Sequence, residues 1–310
     1  MKYPHTHPLI SVYIATHNRA NLLANAINSV FAQTYKNLEL IVVDDGSTDH
    51  TIDILESFKI KHDNFHYLTF EQPKGAPSAR NLAIEHAKGE FITGLDDDDQ
   101  FTPTRIELFI KNYSDQWSFL CSGLAKYDGI NYKALKSTKQ TISWEGIKRN
   151  NLVGNQIFIE RKRLLLVGGF DKHFLAWQDY DLWLRLIKEF GPALKLSQHT
   201  YIQNVQSEIN RISSSSKTQR GYEQFIAKHR ESLSNIDLAN QKINHYSNNN
   251  IPPKISDYFE LLPPSTIMRL NKLFIKTHLP NLFRFYERIL QSAKNTKLYH
   301  KVKSHDSNPK

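Results

Sequence analysis

Apolar and polar residues follow two periods along the first third of the chain, and each change of period marks an element. Pro8-Leu-Ile-Ser-Val-Tyr-Ile-Ala15 is apolar and β-branched and reads as a strand ending at polar Thr16-His17-Asn18-Arg19. From about Ala20 to Gln33, Leu22, Leu23, Ala26, Ile27, Val30 and Phe31 recur at helical spacing. Leu38-Glu-Leu-Ile-Val-Val43 is nearly all apolar, as a strand covered on both faces requires. It ends at Asp44-Asp45-Gly46-Ser47-Thr48-Asp49, where Gly46 allows a tight turn and a following Ser, Thr or Asp can cap a helix over His50–Lys59. A third strand, Phe65–Phe70, is followed by a helix over Ser78–Lys88 that Gly89 stops. A fourth, Glu90–Leu95, runs into Asp96-Asp97-Asp98-Asp99, and Thr102-Pro103 opens a further helix with Thr104-x-x-Glu107 in its first turn. Strand–helix alternation with short links predicts an α/β fold with a mostly parallel central sheet flanked by helices.

The second half is less regular. Phe119–Tyr127 and Asn155–Glu160 read as strands, with polar, loop-like sequence over residues 128–142. Arg161–Val167 reads as a helix ended by Gly168-Gly169. A second helix carries Leu182, Trp183, Leu186 and Ile187 on one stripe as far as Phe190 and breaks at Gly191-Pro192. Asp179 lies at its start, where the helix dipole favours an ionised carboxylate and a capping role alone explains an Asp. Lys217–Ser232 is expected to be helical, residues 233–256 to be a linker, and residues 257–310 a basic amphipathic helical tail. The expected organisation is one domain over residues 1–232, with halves of about 1–115 and 116–232, followed by that linker and tail. Between Lys254 and Lys303 ten Lys or Arg stand against three Asp or Glu, interleaved with Leu270, Leu273, Phe274, Leu279 and Leu282. Such a tail suits an anionic membrane surface or, equally, a helix packed on the domain with a solvated basic face.

The four consecutive carboxylates are the most informative stretch. Adjacent anions repel, so a cation is expected among them. They sit at the carboxyl end of a strand, where open α/β sheets bind ligands. Hard oxygen donors suit Mg or Mn. A solvated acidic turn is the plain alternative, but Thr16–Arg19, Asp44-Asp45 and Asp96–Asp99 all fall at strand ends on one edge. That convergence favours a nucleotide-and-metal site.

Composition narrows the setting. The 310 residues, 40% hydrophobic, can bury a sizeable core. Cys121 is the only cysteine, which excludes an internal disulfide and fits a reducing compartment. Met1-Lys-Tyr-Pro-His lacks an apolar signal core, and no run approaches a spanning helix. A cytoplasmic location is expected, peripheral on the inner face of the cytoplasmic membrane if the tail binds there. The net charge of +9 suits an anionic partner. No nucleic-acid motif accompanies it, so nucleic acid is not expected.

Five stretches together resemble glycosyltransferase family 2: Pro8-x-Ile-Ser-Val-Tyr-Ile-Ala-Thr-His-Asn-Arg19, Val43-Asp-Asp-Gly-Ser-Thr-Asp49, Ala79-Arg-Asn-Leu-Ala83, Gly89-Glu-Phe-Ile-x-x-Leu-Asp-Asp-Asp-Asp99 and Gln178-Asp-Tyr-Asp-Leu-Trp-Leu-Arg185. Their order and spacing match over roughly residues 8–213. The resemblance implies the Rossmann-like GT-A fold, a nucleotide-sugar donor (UDP the commonest nucleotide), a divalent metal and inversion at the anomeric carbon. By position it implies that Thr16, His17, Arg19, Asp45 and Arg80 meet the nucleotide. Asp96-x-Asp98 matches the family's Asp-x-Asp motif, with Asp98 and Asp96 toward the metal, and Asp96 or Asp97 toward ribose or sugar. Asp179 matches the proposed base. Gln178 stands where Glu is common, which leaves the base intact and removes the first acid. The implied enzyme is a hexosyl- or N-acetylhexosaminyltransferase of surface polysaccharide (O-antigen, capsule or lipooligosaccharide), acting on a glycan or lipid-linked acceptor.

Two other classes compete. A non-catalytic nucleotide-binding protein of the same fold is disfavoured by the intact Asp98 and Asp179. A metal-dependent phosphotransferase would release phosphate without sugar transfer, and the ordered stretches disfavour it.

Overall fold

The computed structural model describes residues 7–154, 156–206, 215–260 and 264–284. The chain forms two compact units, residues 1–229 and 230–310.

The first unit is built on one sheet. In chain order its elements are β1 (Ile10–Thr16), α1 (Ala20–Phe31), β2 (Leu38–Asp44), α2 (Thr51–Lys61), β3 (Phe65–Thr69), α3 (Ala76–His86), β4 (Phe91–Gly94), β5 (Gln100–Phe101) and α4 (Arg105–Asn112). There follow β6 (Leu120–Tyr127), β7 (Tyr132–Ala134), β8 (Gln140–Ile142), α5 (Trp144–Arg149), β9 (Phe158–Glu160), α6 (Arg161–Leu166), α7 (Gln178–Phe190), β10 (Ala193–Asn204) and α8 (Ser215–His229). The strand order is β3-β2-β1-β4-β9-β6-β10-β5, with β7 on β6 and β8 on β10.

The half β3-β2-β1-β4 is parallel, as the strand–helix alternation predicts. All seven residues of β2 are buried, which explains its nearly all-apolar sequence, and the buried Glu39 is satisfied by Ser11 Oγ and the Lys88 N–H. Beyond β4 the sheet is mixed: β9 runs antiparallel to both β4 and β6, and β10 pairs parallel with β6. Phe158 of β9 stacks on Phe91 and Phe109, with ring centroids 5.0 and 5.3 Å away, and this aromatic layer joins the two halves. The crossover places β1 between β2 and β4, so the chain leaves β1 and β4 in opposite directions. The crevice at their carboxyl ends is the expected ligand position.

Several expectations are corrected. The run Ala193–Asn204 is a twelve-residue strand that alternation did not reveal, because both faces and a register shift mix polar with apolar residues. The loop-like stretch 128–142 holds the short strands β7 and β8. The strand read over 155–160 is limited to Phe158–Glu160, and Asn155 lies outside the described residues. Thr104 precedes α4 without a side-chain cap, and Glu107 instead accepts a 2.7 Å hydrogen bond from Thr34.

The second unit contains α9 (Asn235–Asn249), α10 (Ile255–Glu260) and α11 (Pro264–His278). The presumed linker over 233–256 is therefore mostly helix. Its Asn-rich composition suggested a loop, but Ser234 and Asp237 form a reciprocal capping box that starts α9. Asn250, at φ 52°, ends it. Ala239, Ile243 and Leu270 make a small core, and Lys242 pairs with Asp257 at 2.8 Å. Of the expected tail, residues 285–310 lie outside the described residues. No described helix is long and apolar enough to cross a membrane.

Candidate active site

The four carboxylates after β4 point four ways. Asp96 Oδ1 accepts from Arg80 Nη2 and from Gln156 Nε2, both at 2.9 Å, and Oδ2 accepts from the Tyr201 hydroxyl at 3.2 Å. Asp97 accepts from Thr16 Oγ1 at 2.8 Å, which ties the ends of β4 and β1 together. Asp98 Oδ2 accepts from Arg19 Nη1 at 3.0 Å. Asp99 is buried and accepts from the Asn204 backbone N–H at 2.8 Å, so it anchors β10. Gly94 leaves this floor room: a Cβ there would strike Gln156 and approach the Tyr13 ring to 2.5 Å. Beneath it Arg105, 1% exposed, donates to Ser122 Oγ and Thr200 Oγ1 at 2.9 Å. Burial pushes this guanidinium down to about 10, still charged at neutral pH.

Asp179 enters from the far end of the sequence. It lies in the first turn of α7, and its Oδ1 accepts from Arg80 Nη1 at 2.8 Å. Arg80 thus bridges Asp96 and Asp179, its guanidinium over the Phe170 ring at 5.2 Å. Trp177, just before α7, holds a left-handed backbone at φ 67°, a conformation that costs a bulky residue about 1–2 kcal/mol. Its ring packs against Tyr180, Tyr222 and Phe225, which supply the compensating contacts.

The turn that carries Asp179 is clamped from behind by Asp181. This fully buried carboxylate accepts from Arg185 Nε at 2.9 Å and His229 Nε2 at 2.8 Å, and pairs with Lys228 at 2.9 Å. Burial alone would raise its pKa, but these partners hold it down to about 2. Asp181→Ala leaves those donors without their acceptor, and a loss of about 3–5 kcal/mol is expected by urea unfolding. An unchanged midpoint would show that the clamp contributes nothing.

The residues expected at a nucleotide lie at the carboxyl ends of β1, β2 and β4 and on α3. Thr16 and Arg19 reach the acidic stretch, and His17 Nδ1 donates to the Asp45 carbonyl at 2.7 Å. Asp45, however, is buried, and its carboxylate accepts the Lys74 and Gly75 backbone N–H groups at 2.6 and 2.8 Å. It fastens the loop leading into α3. Arg80 likewise meets two carboxylates. Asn18, at φ 52°, accepts the Thr48 N–H at 2.7 Å and donates its own N–H to Ser47 Oγ at 2.8 Å, lacing the loops after β1 and β2.

Burial dominates the electrostatics. With help from neighbouring carboxylates it pushes Asp97 up to about 7, Asp99 to about 8 and Asp98 upward. Asp179 rises to about 6, against the lowering pull of Arg80. Asp96 and Asp179 share the Arg80 guanidinium and Asp98 meets Arg19, so three carboxylates face two guanidinium groups. Among the described residues no three His, Cys, Asp or Glu already converge as metal ligands.

Gln156, Tyr201 and Phe170 were not anticipated. Gln156 lies in an irregular stretch and Tyr201 in the unforeseen β10; neither carries a local signal. Asp181 was visible as the third polar residue of Gln178-Asp-Tyr-Asp181, but its partner His229 was not.

A parallel half-sheet with loops laced at its carboxyl edge, an acidic strand end beside β1 and a facing helix-start carboxylate define a GT-A glycosyltransferase fold. Staphylococcus aureus TarS, solved in complex with UDP-GlcNAc, shares this fold with a TM-score of 0.60 at 19% identity, over 86% of this chain and 81% of that one. The chain belongs to glycosyltransferase family 2: the model of Glycosyl transferase family 2 matches residues 11–174, more than half of it. WcaA of Escherichia coli K12, a putative colanic acid biosynthesis glycosyl transferase, is 35% identical over 243 residues, covering 76% of this chain and 85% of WcaA. WfaP of Escherichia coli, a UDP-Glc:alpha-D-GlcNAc-diphosphoundecaprenol beta-1,3-glucosyltransferase, is 30% identical over 194 residues, 58% of this chain and 71% of WfaP.

Proposed function

We propose that this protein is an inverting, metal-assisted glycosyltransferase that moves a hexosyl or N-acetylhexosaminyl group from a UDP-sugar to a hydroxyl of a glycan or lipid-linked acceptor in surface polysaccharide synthesis. The observation that carries it is the Arg80 bridge, which brings the strand-end carboxylate Asp96 and the helix-start carboxylate Asp179 to opposite ends of one guanidinium. Donor-side and acceptor-side chemistry need that adjacency. The names of WcaA and WfaP support the pathway and the lipid-linked acceptor; WfaP and TarS support UDP.

Thr16, His17, Arg19, Asp45 and Asp97 form the nucleotide wall, with Asp45 acting through the loop that it holds. The excess of hard carboxylate oxygen fits Mn or Mg, and Asp98 with Asp96 would hold it. When bound, the metal neutralises charge that develops on the departing diphosphate. Asp179 takes the proton of the attacking acceptor hydroxyl. The new bond forms between that oxygen and the anomeric carbon as the bond to the diphosphate breaks on the opposite face. One displacement inverts the centre, so an α-linked donor gives a β-linked product. Arg80 keeps Asp179 ionised and aimed, and no second acid is required, since a charge-neutralised diphosphate leaves without a proton.

The test is a thermal-shift panel of UDP, GDP and dTDP, each with Mn and with EDTA. Ligand at a hundred times its Kd stabilises the fold by about 2.7 kcal/mol. A rise in Tm with UDP and Mn that EDTA removes is expected. An equal rise with GDP or dTDP would overturn the UDP assignment, and a rise indifferent to EDTA would overturn the metal.

A further inference from the structure

We infer that the second unit carries a membrane-docking face: an exposed apolar stripe along α11, set among cations, that lies on an anionic bilayer surface. The face is defined by spacing. Met268, Lys272, Ile275, Leu279 and Leu282 follow at intervals of four, three, four and three residues, so they form one line along a helix. α11 ends at His278 and residues 280–284, opened by Pro280, form a further helical turn; the two are joined at Leu279, whose N–H donates to the Ile275 carbonyl and whose carbonyl accepts from the Phe283 N–H, both at 3.0 Å. Met268, Ile275, Leu279 and Leu282 are 76%, 37%, 48% and 54% exposed. The opposite side of the same helix, with Thr266, Leu270 and Leu273, is buried. The helix is thus apolar on two faces, and its own core uses only one.

Charge selects the occupant. Between Glu260 and Glu287 the sequence has no acidic residue, while Lys272, Lys276 and Arg284 are exposed along this segment; Arg269 instead donates to Asn240 and Asn244 of α9. Lys272 lies within the stripe, and Lys276 flanks it one residue further round the helix. A cationic helix with an apolar line embeds its side chains at the acyl boundary and holds its ammonium groups among anionic headgroups. A second copy of the chain fits poorly, because like charges would face each other. Four such side chains also offer on the order of a few hundred Å², against roughly 800 Å² per partner in a stable interface. The chain has no described spanning helix, so such a face would hold it at the surface rather than across the membrane. This proposal stands apart from the transferase reading and is tested without donor or acceptor.

The experiment is flotation of the full chain with vesicles of phosphatidylcholine alone or with about a third phosphatidylglycerol, at low and high salt. Flotation with the anionic vesicles, weakened by salt and absent with phosphatidylcholine alone, is expected. Lys272→Glu with Lys276→Glu should lower partitioning at least about tenfold. Ile275→Ser with Leu279→Ser should lower it comparably with the cooperative unfolding transition retained, since both side chains are partly exposed and lie outside the small core of Ala239, Ile243 and Leu270. Equal binding to neutral vesicles, no binding to either, or full binding by both double variants would overturn the proposal. A dimer on gel filtration that Ile275→Ser with Leu279→Ser dissociates would also overturn it and assign the stripe to a second copy.

Discussion

Asp179→Asn should bind UDP and Mn as the wild type does and transfer sugar about 10²–10⁴-fold more slowly, the usual contribution of a positioned general base. Asparagine keeps an oxygen for Arg80 Nη1, so the bridge to Asp96 survives while the proton acceptor is lost. The pH profile separates the two effects. Burial raises Asp179 to about 6, and only its carboxylate form accepts a proton. Wild-type rate should therefore fall as pH drops through about 6, and the variant's residual rate should lack that limb. Stability runs the other way. A carboxyl whose pKa is higher folded than unfolded stabilises the fold most at low pH, and that contribution is lost as pH rises through 6. Above pH 6 the variant should be at least as stable as the wild type. A variant with wild-type turnover would move the base to another residue.

Asp98→Ala is the second large effect. Its carboxylate leaves the strand end beside Asp97 and Asp96 with Arg19 as its cation, and on the proposed reading it is the main metal ligand. Turnover with Mn should fall by roughly 10³-fold, as for loss of a group that stabilises developing charge. The UDP-induced rise in Tm should become the same with Mn and with EDTA. Fold stability should change little, because burial and adjacent carboxylates already raise the Asp98 pKa and removing it relieves repulsion. Full metal-dependent activity in this variant would sink the assignment. The two substitutions also separate the halves of the mechanism: Asp98→Ala should weaken metal-linked donor binding, whereas Asp179→Asn should not.

The first half of the fold was legible because its signals are local. β1, β2 and β3 are largely apolar runs bounded by turn residues, α1 has a clear helical face, and Gly191 marks the end of α7, whereas α3 ends at His86, three residues before the Gly89 expected to stop it. β4 could be placed because an acidic run follows it. In the second half β6, α6, α7 and α8 were legible in the same way, but the remaining elements were not. β9 is three residues long and owes its place to Phe158 meeting Phe91 and Phe109, a contact between distant segments. β10 mixes polar and apolar residues because it pairs with three strands on shifting registers. α9 looked like a linker because its stability comes from one capping box and a few buried side chains within a polar sequence.

The candidate site divides in the same way. Residue types at strand ends and at a helix start depend on nearest neighbours in the chain, so the sequence alone determined which carboxylates, which arginines and which strand edge were candidates. Only the tertiary structure decided how they are used. Of four adjacent aspartates, Asp99 turns to the Asn204 backbone, Asp97 to Thr16, Asp98 to Arg19 and Asp96 to Arg80. The Asp45 carboxylate holds a loop, and Arg80 joins positions sixteen and ninety-nine residues away. The reason is physical: a buried carboxylate must find donors wherever the fold brings them, and those donors lie on elements that sequence proximity does not reveal.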